Sequence, residues 1–524
     1  MNGSLLTMVR VHLRTGWLTP AIWVVALGGT MAFTVSAIHG LYNTPAKVDS
    51  YAAAVKGNAL MMINGKIAGI DSLGGIIANE FGFIASFAIP FMAVGLIAKM
   101  TRKEEETGRL ELVLAGRIGR ADPLLAAVLV TVVAEVLVTA ALFASLTGAG
   151  VPTGDAALYT LSLGALGLVF AGVAAVAAQL VERTRGVYAI SLGAIFAAYL
   201  LRGLGDVQFS PLTWLSPLGW QEQTRAFGDL RWWPLLLPVG TFLLLVAVAL
   251  AVVSRRDVGD ALLGVGATAP HASAFLRTPL GIALRSHRGS LIGWSSATVV
   301  VSATFGSVAK PLVDAINGNP SVASAIGASG ATGLDSVLAM NALILALLAA
   351  AYAVHAVGVL RAEETTGRLE ARLSGDQGRW SWLSVQLAVV AVGIVAVSVL
   401  GGSVLALSTS WSVGQNVTVQ VVGAVVDFLP AIGSFGGIAV LAFGVMPRWV
   451  PVVWVAYAAG AVIAYLGDSL NLAGAVRALS PFQLIGNPPI EPVHAAHAAL
   501  LLLLTVACLG FGYTGFRRRG IPQN

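Results

Sequence analysis

The chain has 524 residues, of which 57% are hydrophobic and only 11% are charged, and its mean hydropathy is +0.83. A water-soluble domain carries roughly 25% charged residues, so this composition excludes a soluble globule and indicates a protein whose solvent is mostly lipid. The net charge of +6 does not indicate nucleic acid, because the basic residues lie at the ends of apolar segments, and the single cysteine, Cys508, excludes an intrachain disulfide.

Twelve segments are long and apolar enough to cross a bilayer, which takes roughly 20 mostly apolar residues. In chain order, the predicted spans lie at about 18–38, 76–98, 124–148, 156–180, 186–204, 234–253, 290–309, 337–359, 382–407, 418–446, 450–466 and 493–515. The pair within 418–466 has the least distinct boundaries. The predicted fold is therefore an all-α polytopic membrane protein, and its polar N-terminus carries no pattern of a removable signal peptide.

The spans divide the chain into a first six-helix half over 1–254, a cytoplasmic linker over 255–289 and a second six-helix half over 290–524. An even number of spans puts both termini on one side of the membrane, and the positive-inside rule makes that side the cytoplasm. Eight of the 31 Lys and Arg residues fall on the other side: Lys47, Lys56, Lys66, Arg202, Arg225, Arg231, Lys310 and Arg477. The predicted location is the plasma membrane.

An internal repeat connects the two halves. Residues 102–111 follow the second span and residues 361–370 follow the eighth, and both end in Thr-Gly-Arg-Leu-Glu. A Gly-x-Asp-Ser sequence at 69–72 recurs at 333–336, and Leu-Ser-Pro at 215–217 recurs at 479–481. Three landmarks in the same order predict duplicated halves in parallel orientation, a plan in which a transport pathway lies between the halves.

We call residues 102–111 elbow 1 and residues 361–370 elbow 2. In a continuous helix, Glu105–Arg109 and Glu364–Arg368 would form favourable i,i+4 pairs. A solvated loop that obeys the positive-inside rule is the simpler interpretation, but that rule needs no glutamates, and both elbows retain them. Matched charged surfaces favour docking to a two-fold symmetric partner. The residues predicted for this surface are Glu104, Glu105, Glu106, Arg109, Glu111, Glu363, Glu364, Arg368 and Glu370.

The Glu-Glu-x-x-Gly-Arg-Leu-Glu pattern between the second and third spans of a half resembles type 2 ABC exporter permeases. The stretch from Leu215 to Arg225, with Trp232-Trp233-Pro234 after it, is similar to the actinobacterial exporters of polyketide antibiotics, including tetronasin-type permeases. The second half departs from that pattern, because Pro481 is not followed by Leu-Gly-Trp. The two docking surfaces are therefore not necessarily equivalent.

The resemblance implies a single-chain permease with two six-span halves, whose elbows receive force from a separate ATPase subunit in two copies. It also implies outward movement of a hydrophobic or amphipathic compound of the drug or antibiotic type. The chain has no Gly-x-x-x-x-Gly-Lys-[Ser/Thr] loop to cradle phosphates. We therefore expect no catalytic residues and no cofactor in this chain, with ATP and Mg²⁺ bound by the partner.

The main alternative is a proton-coupled secondary multidrug transporter of the major facilitator type, which also has twelve spans in two halves. The loop between spans 2 and 3 and the first external loop are both too long for that class. Proton coupling needs ionisable groups inside the membrane, and the candidates for the pathway are Glu80, Glu135 and Asp427. Arg202 is expected to reach the outer surface. An intramembrane enzyme is disfavoured, because the chain has no zinc-protease or serine-hydrolase motif and no predicted metal site.

The repeated Leu-Ser-Pro motif precedes the last span of each half on the external side. Its repetition predicts a re-entrant segment beside the exit of the pathway. The residues assigned to it are Ser216, Pro217, Trp220, Ser480 and Pro481. The neighbouring tryptophans have the simpler role of an aromatic belt at the membrane interface.

Overall fold

The structure, a computed structural model, describes residues 3–55, 64–114, 118–207, 211–255, 262, 273–307, 309–318, 332–375, 378–466 and 473–520. Throughout these ranges the regular structure is helical, with no β-strand. The chain forms two compact units, Met1–Thr268 and Ala269–Asn524. The part predicted as a linker includes helical residues 279–289, and most of 255–272 lies outside the described ranges.

Unit 1 contains a series of α-helices that follows the predicted spans closely. They are α1 (Gly3–Gly16), α2 (Leu18–Leu41), α3 (Pro45–Val55), α4 (Leu73–Met100), α5 (Arg102–Glu106), α6 (Arg109–Leu114), α7 (Asp122–Gly148), α8 (Thr153–Leu180), α9 (Thr184–Val207), α10 (Pro217–Gln223) and α11 (Leu236–Val253). Short 3₁₀ turns at Pro211–Leu215 and Trp233–Leu235 flank α10.

Unit 2 repeats this series with local differences. Its helices are α12 (Pro279–Ser307), α13 (Ala309–Gly318), α14 (Gly333–Thr365), α15 (Arg368–Leu373), α16 (Arg379–Val413), α17 (Thr418–Asp427), α18 (Leu429–Val445), α19 (Val450–Leu466), α20 (Gly474–Arg477), α21 (Pro481–Ile485) and α22 (Ala495–Arg518). A 3₁₀ turn at Phe275–Arg277 precedes α12, and another at Pro447–Trp449 precedes α19.

Eleven helical segments in the described ranges are long and apolar enough to cross a membrane, which confirms the predicted polytopic fold. The seventh predicted span, at 290–309, corresponds to the second half of α12, which ends at Ser307. That helix has 29 residues, but its serines and glycines reduce its hydropathy, so it is not among the eleven. The predicted span at 418–446 is confirmed as Thr418–Val445. Its helix is interrupted at Phe428, which divides it into α17 and α18.

Both units pack their spans in the same order. In unit 1, α2 packs against α7, α4 against α8, and α8 against α11. In unit 2 the corresponding pairs are α12 with α16, α14 with α18, and α18 with α22. The first span of each unit thus contacts the third, the second contacts the fourth, and the fourth contacts the sixth. This shared order agrees with the duplication predicted from the motifs.

Small residues let the helices approach closely where the units are tightest. An added Cβ on Gly512 of α22 would lie 2.8 Å from the Val440 carbonyl oxygen of α18, and one on Gly444 would lie 2.0 Å from the Gly512 carbonyl oxygen. Without a hydrophobic driving force between helices, contact of this kind holds membrane helices together. Large side chains such as Leu243, Leu503 and Phe511 remain exposed, as expected for surfaces that face lipid.

We predict that Gly512→Leu destabilises unit 2, while Gly510→Leu does not, because no atom in the described ranges lies within 4 Å of a Cβ added at Gly510. Overpacking typically costs about 1–3 kcal/mol. Cys508, the only cysteine, is buried on the same helix. The temperature at which a thiol-reactive fluorophore labels Cys508 measures unfolding. Equal labelling temperatures for the two variants would contradict the close packing.

Candidate functional site

Elbow 1 changes direction twice. Helix α4 ends at Met100, Thr101 interrupts the helix with φ −118° and ψ −90°, and α5 follows for five residues. Gly108 then adopts φ +70°, in the left-handed region, before α6 begins at Arg109. Because glycine lacks Cβ, it adopts this conformation without the steric cost that other residues meet. Leu110 consequently points into the protein and is buried.

The acidic residues of elbow 1 have separate roles. Arg102 is 1% exposed, and its Nε donates to the Ala178 carbonyl at the end of α8 at 2.6 Å. Glu105 pairs with Arg102 at 2.5 Å. Glu106 accepts hydrogen bonds from the Thr184 backbone N at 2.9 Å and from its Oγ1 at 2.7 Å. Thr184 is the first residue of α9, so Glu106 satisfies an otherwise unpaired donor at a helix start.

Elbow 2 shares the left-handed glycine of elbow 1 but lacks its helix break. Helix α14 continues without interruption through Thr365, so elbow 2 has no break at the position equivalent to Thr101. Gly367 adopts φ +71°, and α15 begins at Arg368. Leu369 is buried, as Leu110 is in elbow 1.

Both adjacent glutamates of elbow 2 are buried and paired. Glu363 accepts a hydrogen bond from Ser286 Oγ at 2.6 Å and pairs with Arg372 at 2.8 Å. Glu364 forms a two-pronged ion pair with the guanidinium of Arg519, and the Nη2–Oε2 distance is 2.7 Å. Arg519 also lies over the rings of Phe443 and Phe516, 5.3 Å from each centroid. The end of the last helix is thereby fastened to elbow 2.

The predicted i,i+4 pairs within one helix are wrong. Gly108 separates Glu105 from Arg109, and Gly367 separates Glu364 from Arg368, so neither pair lies on a continuous helix. Arg109 instead lies 3.8 Å from the half-exposed Glu104. Sequence spacing alone could not show that glycine would take the left-handed conformation here.

The two elbows expose the same pair of charges. Arg109 and Glu111 are exposed in elbow 1, and Arg368 and Glu370 are exposed at the equivalent positions in elbow 2. The predicted docking residues therefore fall into two groups. Glu105 pairs with Arg102 within elbow 1, and Glu106 is bonded to α9. Glu363 and Glu364 bond elbow 2 to α12 and to Arg519. The arginine and glutamate of each Gly-Arg-Leu-Glu sequence face outward.

Each unit also places a buried histidine near its elbow, which the sequence analysis missed. Burial lowers the pKa of His12 in α1, although the nearby Glu104 carboxylate opposes that shift. In unit 2, His287 Nε2 lies 3.0 Å from Gln386 Oε1, and its neighbour Ser286 contacts Glu363. An Arg-x-His sequence at 10–12 and at 285–287 was the available signal.

The three acidic residues predicted for the pathway lie in different surroundings. Glu135 in α7 is buried, and neither of its carboxyl oxygens has a hydrogen-bond partner within the described part of the chain. Gly167 of α8 faces it so closely that an added Cβ would lie 2.2 Å from Glu135 Oε1. Glu80 is exposed and accepts a hydrogen bond from Tyr51. Asp427 is half-buried at the break between α17 and α18.

The Leu-Ser-Pro motif makes the same contact in both units. Ser216 Oγ donates to the Ala198 carbonyl of α9 at 2.6 Å, and Ser480 Oγ donates to the Gly460 carbonyl of α19 at 2.8 Å. Both serines are fully buried. Pro217 and Pro481, both half-buried, begin the short helices α10 and α21. The motif therefore fixes a short helix against the preceding span.

Trp220 in α10 is half-buried, and its Nε1 donates to the Trp214 carbonyl at 2.6 Å. Trp214 stacks on Trp233 with ring centroids 5.5 Å apart. The unit 2 motif has no tryptophan at the position equivalent to Trp220, since Phe482 and Gln483 follow Pro481 directly.

Arg202 does not reach the outer surface as predicted, because it is buried in an ion cluster beneath α10. Its Nη1 lies 3.2 Å from Glu222 Oε1 and 3.7 Å from Asp206 Oδ2, and Lys66 Nζ lies 4.0 Å from Asp206 Oδ1. Burial raises the pKa of Glu222 well above its ordinary value, and the Arg202 charge opposes that shift. A cavity of about 40 Å³ adjoins Arg202 and Glu222.

The position of Glu222 in this cluster also explains why residue 65 is a glycine. Gly65 adopts φ +90°, and an added Cβ there would lie 2.0 Å from Glu222 Oε1. The loop before α4 thus approaches α10 closely. Within the described ranges, no group of three or more His, Cys, Asp or Glu side chains is arranged to hold a metal ion.

Apolar helices in two similarly packed units, each with a glycine-hinged elbow, define a duplicated multi-pass membrane protein. A family model described as the C-terminal domain of the multidrug efflux system permease Rv1217c matches residues 23–254 and 276–517, one range in each unit. The multidrug efflux system permease protein Rv1217c of Mycobacterium tuberculosis (strain ATCC 25618 / H37Rv) is 30% identical over 522 residues, which cover 98% of this chain and 95% of that protein. The chain belongs to this family of multidrug efflux system permeases. Membership does not favour the major facilitator alternative.

We predict that reversing either charge of the Glu364–Arg519 pair loosens elbow 2, and that the exchange Glu364→Arg with Arg519→Glu restores much of the loss. Breaking a buried ion pair costs about 3–5 kcal/mol, because a charge remains buried without its partner. Hydrogen exchange of the backbone amides over 361–373 measures this loosening. Glu370→Arg is the matched control on the exposed side of the same elbow. Exchange in the double variant as fast as in the single variants would show that the pair does not hold the elbow.

Proposed function

We propose that this chain is the membrane-spanning permease subunit of an ATP-driven exporter of the type 2 ABC class. The observation that carries the proposal is the paired outward display of Arg109 and Glu111 and of Arg368 and Glu370, each behind a left-handed glycine. Two surfaces that expose the same pair of charges suit a partner with two equivalent binding sites. The chain itself is a transport subunit rather than an enzyme, and it needs no cofactor of its own.

The partner is an ABC ATPase subunit, in two copies, which binds ATP and Mg²⁺. Its docking on the elbows supplies the force that the permease cannot generate, because this sequence contains no phosphate-cradling loop. The mixed charge of each surface suits a partner that presents both signs. In elbow 1, movement of the surface is transmitted to the start of α9 through Glu106. In elbow 2, it is transmitted to the end of α22 through Glu364 and Arg519.

The substrate is a hydrophobic or amphipathic small molecule of the drug or antibiotic type, with polyketides as one class, and it moves outward. The name of the mycobacterial relative, a multidrug efflux system permease protein, supports this substrate range. Glu80, Glu135 and Asp427 are the ionisable groups proposed along the pathway. The short helices that begin at Pro217 and Pro481 form re-entrant segments near its external end.

The protein resides in the plasma membrane with both termini and both elbows in the cytoplasm. The concentration of Lys and Arg on that side supports this orientation. The proposal requires this orientation, because an ATPase in the cytoplasm can bind only surfaces that face the cytoplasm.

We predict that Arg109→Glu together with Arg368→Glu lowers both binding of the ATPase subunit and drug export by tenfold or more. The reason is that the same attractive charge becomes repulsive at both docking surfaces, and charge reversal at an interface costs several kcal/mol. Co-purification of the ATPase subunit and ATP-dependent substrate uptake into inverted vesicles, which corresponds to export from the cell, are the two measurements.

The matched control is Lys103→Glu together with Arg517→Glu. This control makes the same change in net charge, also at exposed residues, and one of them lies in elbow 1. The other unit has no basic residue at the position equivalent to Lys103, so neither substitution touches the shared surface. Labelling of buried Cys508 reports whether each variant is folded. Export by the Arg109→Glu/Arg368→Glu protein at the parent rate would refute the docking assignment.

A further inference from the structure

Helix α1 lies at the same end of unit 1 as elbow 1. Lys99, near the end of α4, donates from Nζ to Thr19 Oγ1 at the start of α2, at 2.8 Å. The charge of the Glu104 carboxylate in elbow 1 opposes the lowering of the His12 pKa by burial, so Glu104 is near α1. Helix α1 therefore lies where the first span meets the side of the membrane that carries most of the Lys and Arg residues.

The faces of α1 differ in their contacts. Met8 and His12, one turn apart, are buried, and the helix packs on α7. A second face carries Leu6, Leu13 and Trp17, which are 47%, 41% and 57% exposed. These side chains recur at roughly helical spacing and form an apolar stripe that the described residues leave largely exposed.

The first span that follows also exposes apolar side chains. Leu18, Ile22 and Val25 of α2 are 57%, 64% and 73% exposed, as expected for residues that contact acyl chains. The backbone hydrogen bonds from Trp17 N to Leu13 O and from Ala21 N to Trp17 O connect the two helices. Acyl chains that surround the first span would therefore also cover the apolar side chains at the end of α1.

Positive charge accompanies the stripe where it meets the bilayer border. Arg10 and Arg14 are exposed one turn apart and line a shallow groove with the apolar side chains. Lys99 is a third exposed cation. It lies next to the end of α1, because a Cβ added on Gly16 would be 4.0 Å from its Nζ. Exposed basic residues next to an apolar helix face attract anionic phospholipid headgroups.

The second unit repeats this plan. His287 of α12 is buried like His12, and Arg285 and Arg288 on the same helix are exposed. Leu280, five residues before Arg285, is also exposed. Retention of a buried histidine beside exposed arginines across the duplication argues that the basic, apolar face serves a purpose in both units.

We propose that α1 binds anionic phospholipid: Arg10, Arg14 and Lys99 contact the headgroup phosphate, and Leu13 and Trp17 contact the acyl chains. The site goes beyond the transport function and does not depend on it. It would make the side of the membrane next to elbow 1 sensitive to lipid charge.

The test uses the full chain, purified in detergent without any ATPase subunit, with dioleoylphosphatidylglycerol or dioleoylphosphatidylcholine added. Native mass spectrometry counts the lipids retained. The parent protein should retain the anionic lipid preferentially, and Arg10→Gln with Arg14→Gln should reduce that preference by on the order of tenfold. Leu13→Ser should weaken retention of both lipids.

Arg517→Gln with Arg518→Gln is the matched control, because it removes two adjacent exposed charges at the end of α22. It should leave the preference unchanged. Equal retention of the two lipids by the parent, or an equal loss of preference in the control, would overturn the proposal. So would weaker co-purification of the ATPase in Arg10→Gln/Arg14→Gln with lipid retention unchanged, since α1 would then contact that subunit instead. Because the lipid measurement contains no ATPase, failure of the transport proposal leaves its result interpretable.

Discussion

A glycine in the left-handed backbone region is the constraint on which each elbow depends. At Gly108 and Gly367, φ is +70° and +71°, and no described atom lies within 4 Å of a Cβ added at either position. The requirement for glycine therefore comes from the backbone conformation and not from lack of space. This turn lets the following leucine enter the core while the arginine before it and the glutamate after it face outward. A residue with a side chain would pay roughly 1–2 kcal/mol to hold the same turn.

Around this shared turn, the two units anchor their elbows differently. Elbow 1 is bonded to the junction of α8 and α9 through Arg102 and Glu106. Elbow 2 is bonded to α12 through Glu363 and to the end of α22 through Glu364. The outward surfaces match, but the helices behind them do not correspond. A two-fold symmetric partner would consequently push on two unequal linkages, which provides a physical basis for different movements in the two halves.

Much of the fold could be predicted from the sequence, because membrane spans depend on length and apolar composition alone. The duplication was visible in three motifs, and the structure repeats the same packing order in both units. The break at Phe428 was not predictable from hydropathy, since both α17 and α18 are apolar and Pro430 can occupy the first turn of a helix. In helix α12 the helix is continuous, but serine and glycine lower its mean hydropathy, so hydropathy alone makes it a weak candidate for a membrane span.

The candidate site was predictable in position but not in pairing. The elbows and the Leu-Ser-Pro motifs were found because they repeat. The partners of Glu106 and Glu364, Thr184 and Arg519, lie 78 and 155 residues away along the chain, and nothing in a local pattern connects them. Arg202 was misassigned because its partner Glu222 belongs to a separate helix beyond the end of the span.

The most direct test of the proposed role of the elbows is site-specific photo-crosslinking from positions 111 and 370 in intact cells. A photoreactive amino acid at either position should give an ATP-dependent adduct with an ATPase subunit, since Glu111 and Glu370 are the exposed acidic residues that the elbows share. The same residue at position 222, within the buried ion cluster of Arg202, should give no such adduct. Adducts at neither elbow, or accessibility of both elbows to an impermeant reagent from outside the cell, would contradict the account.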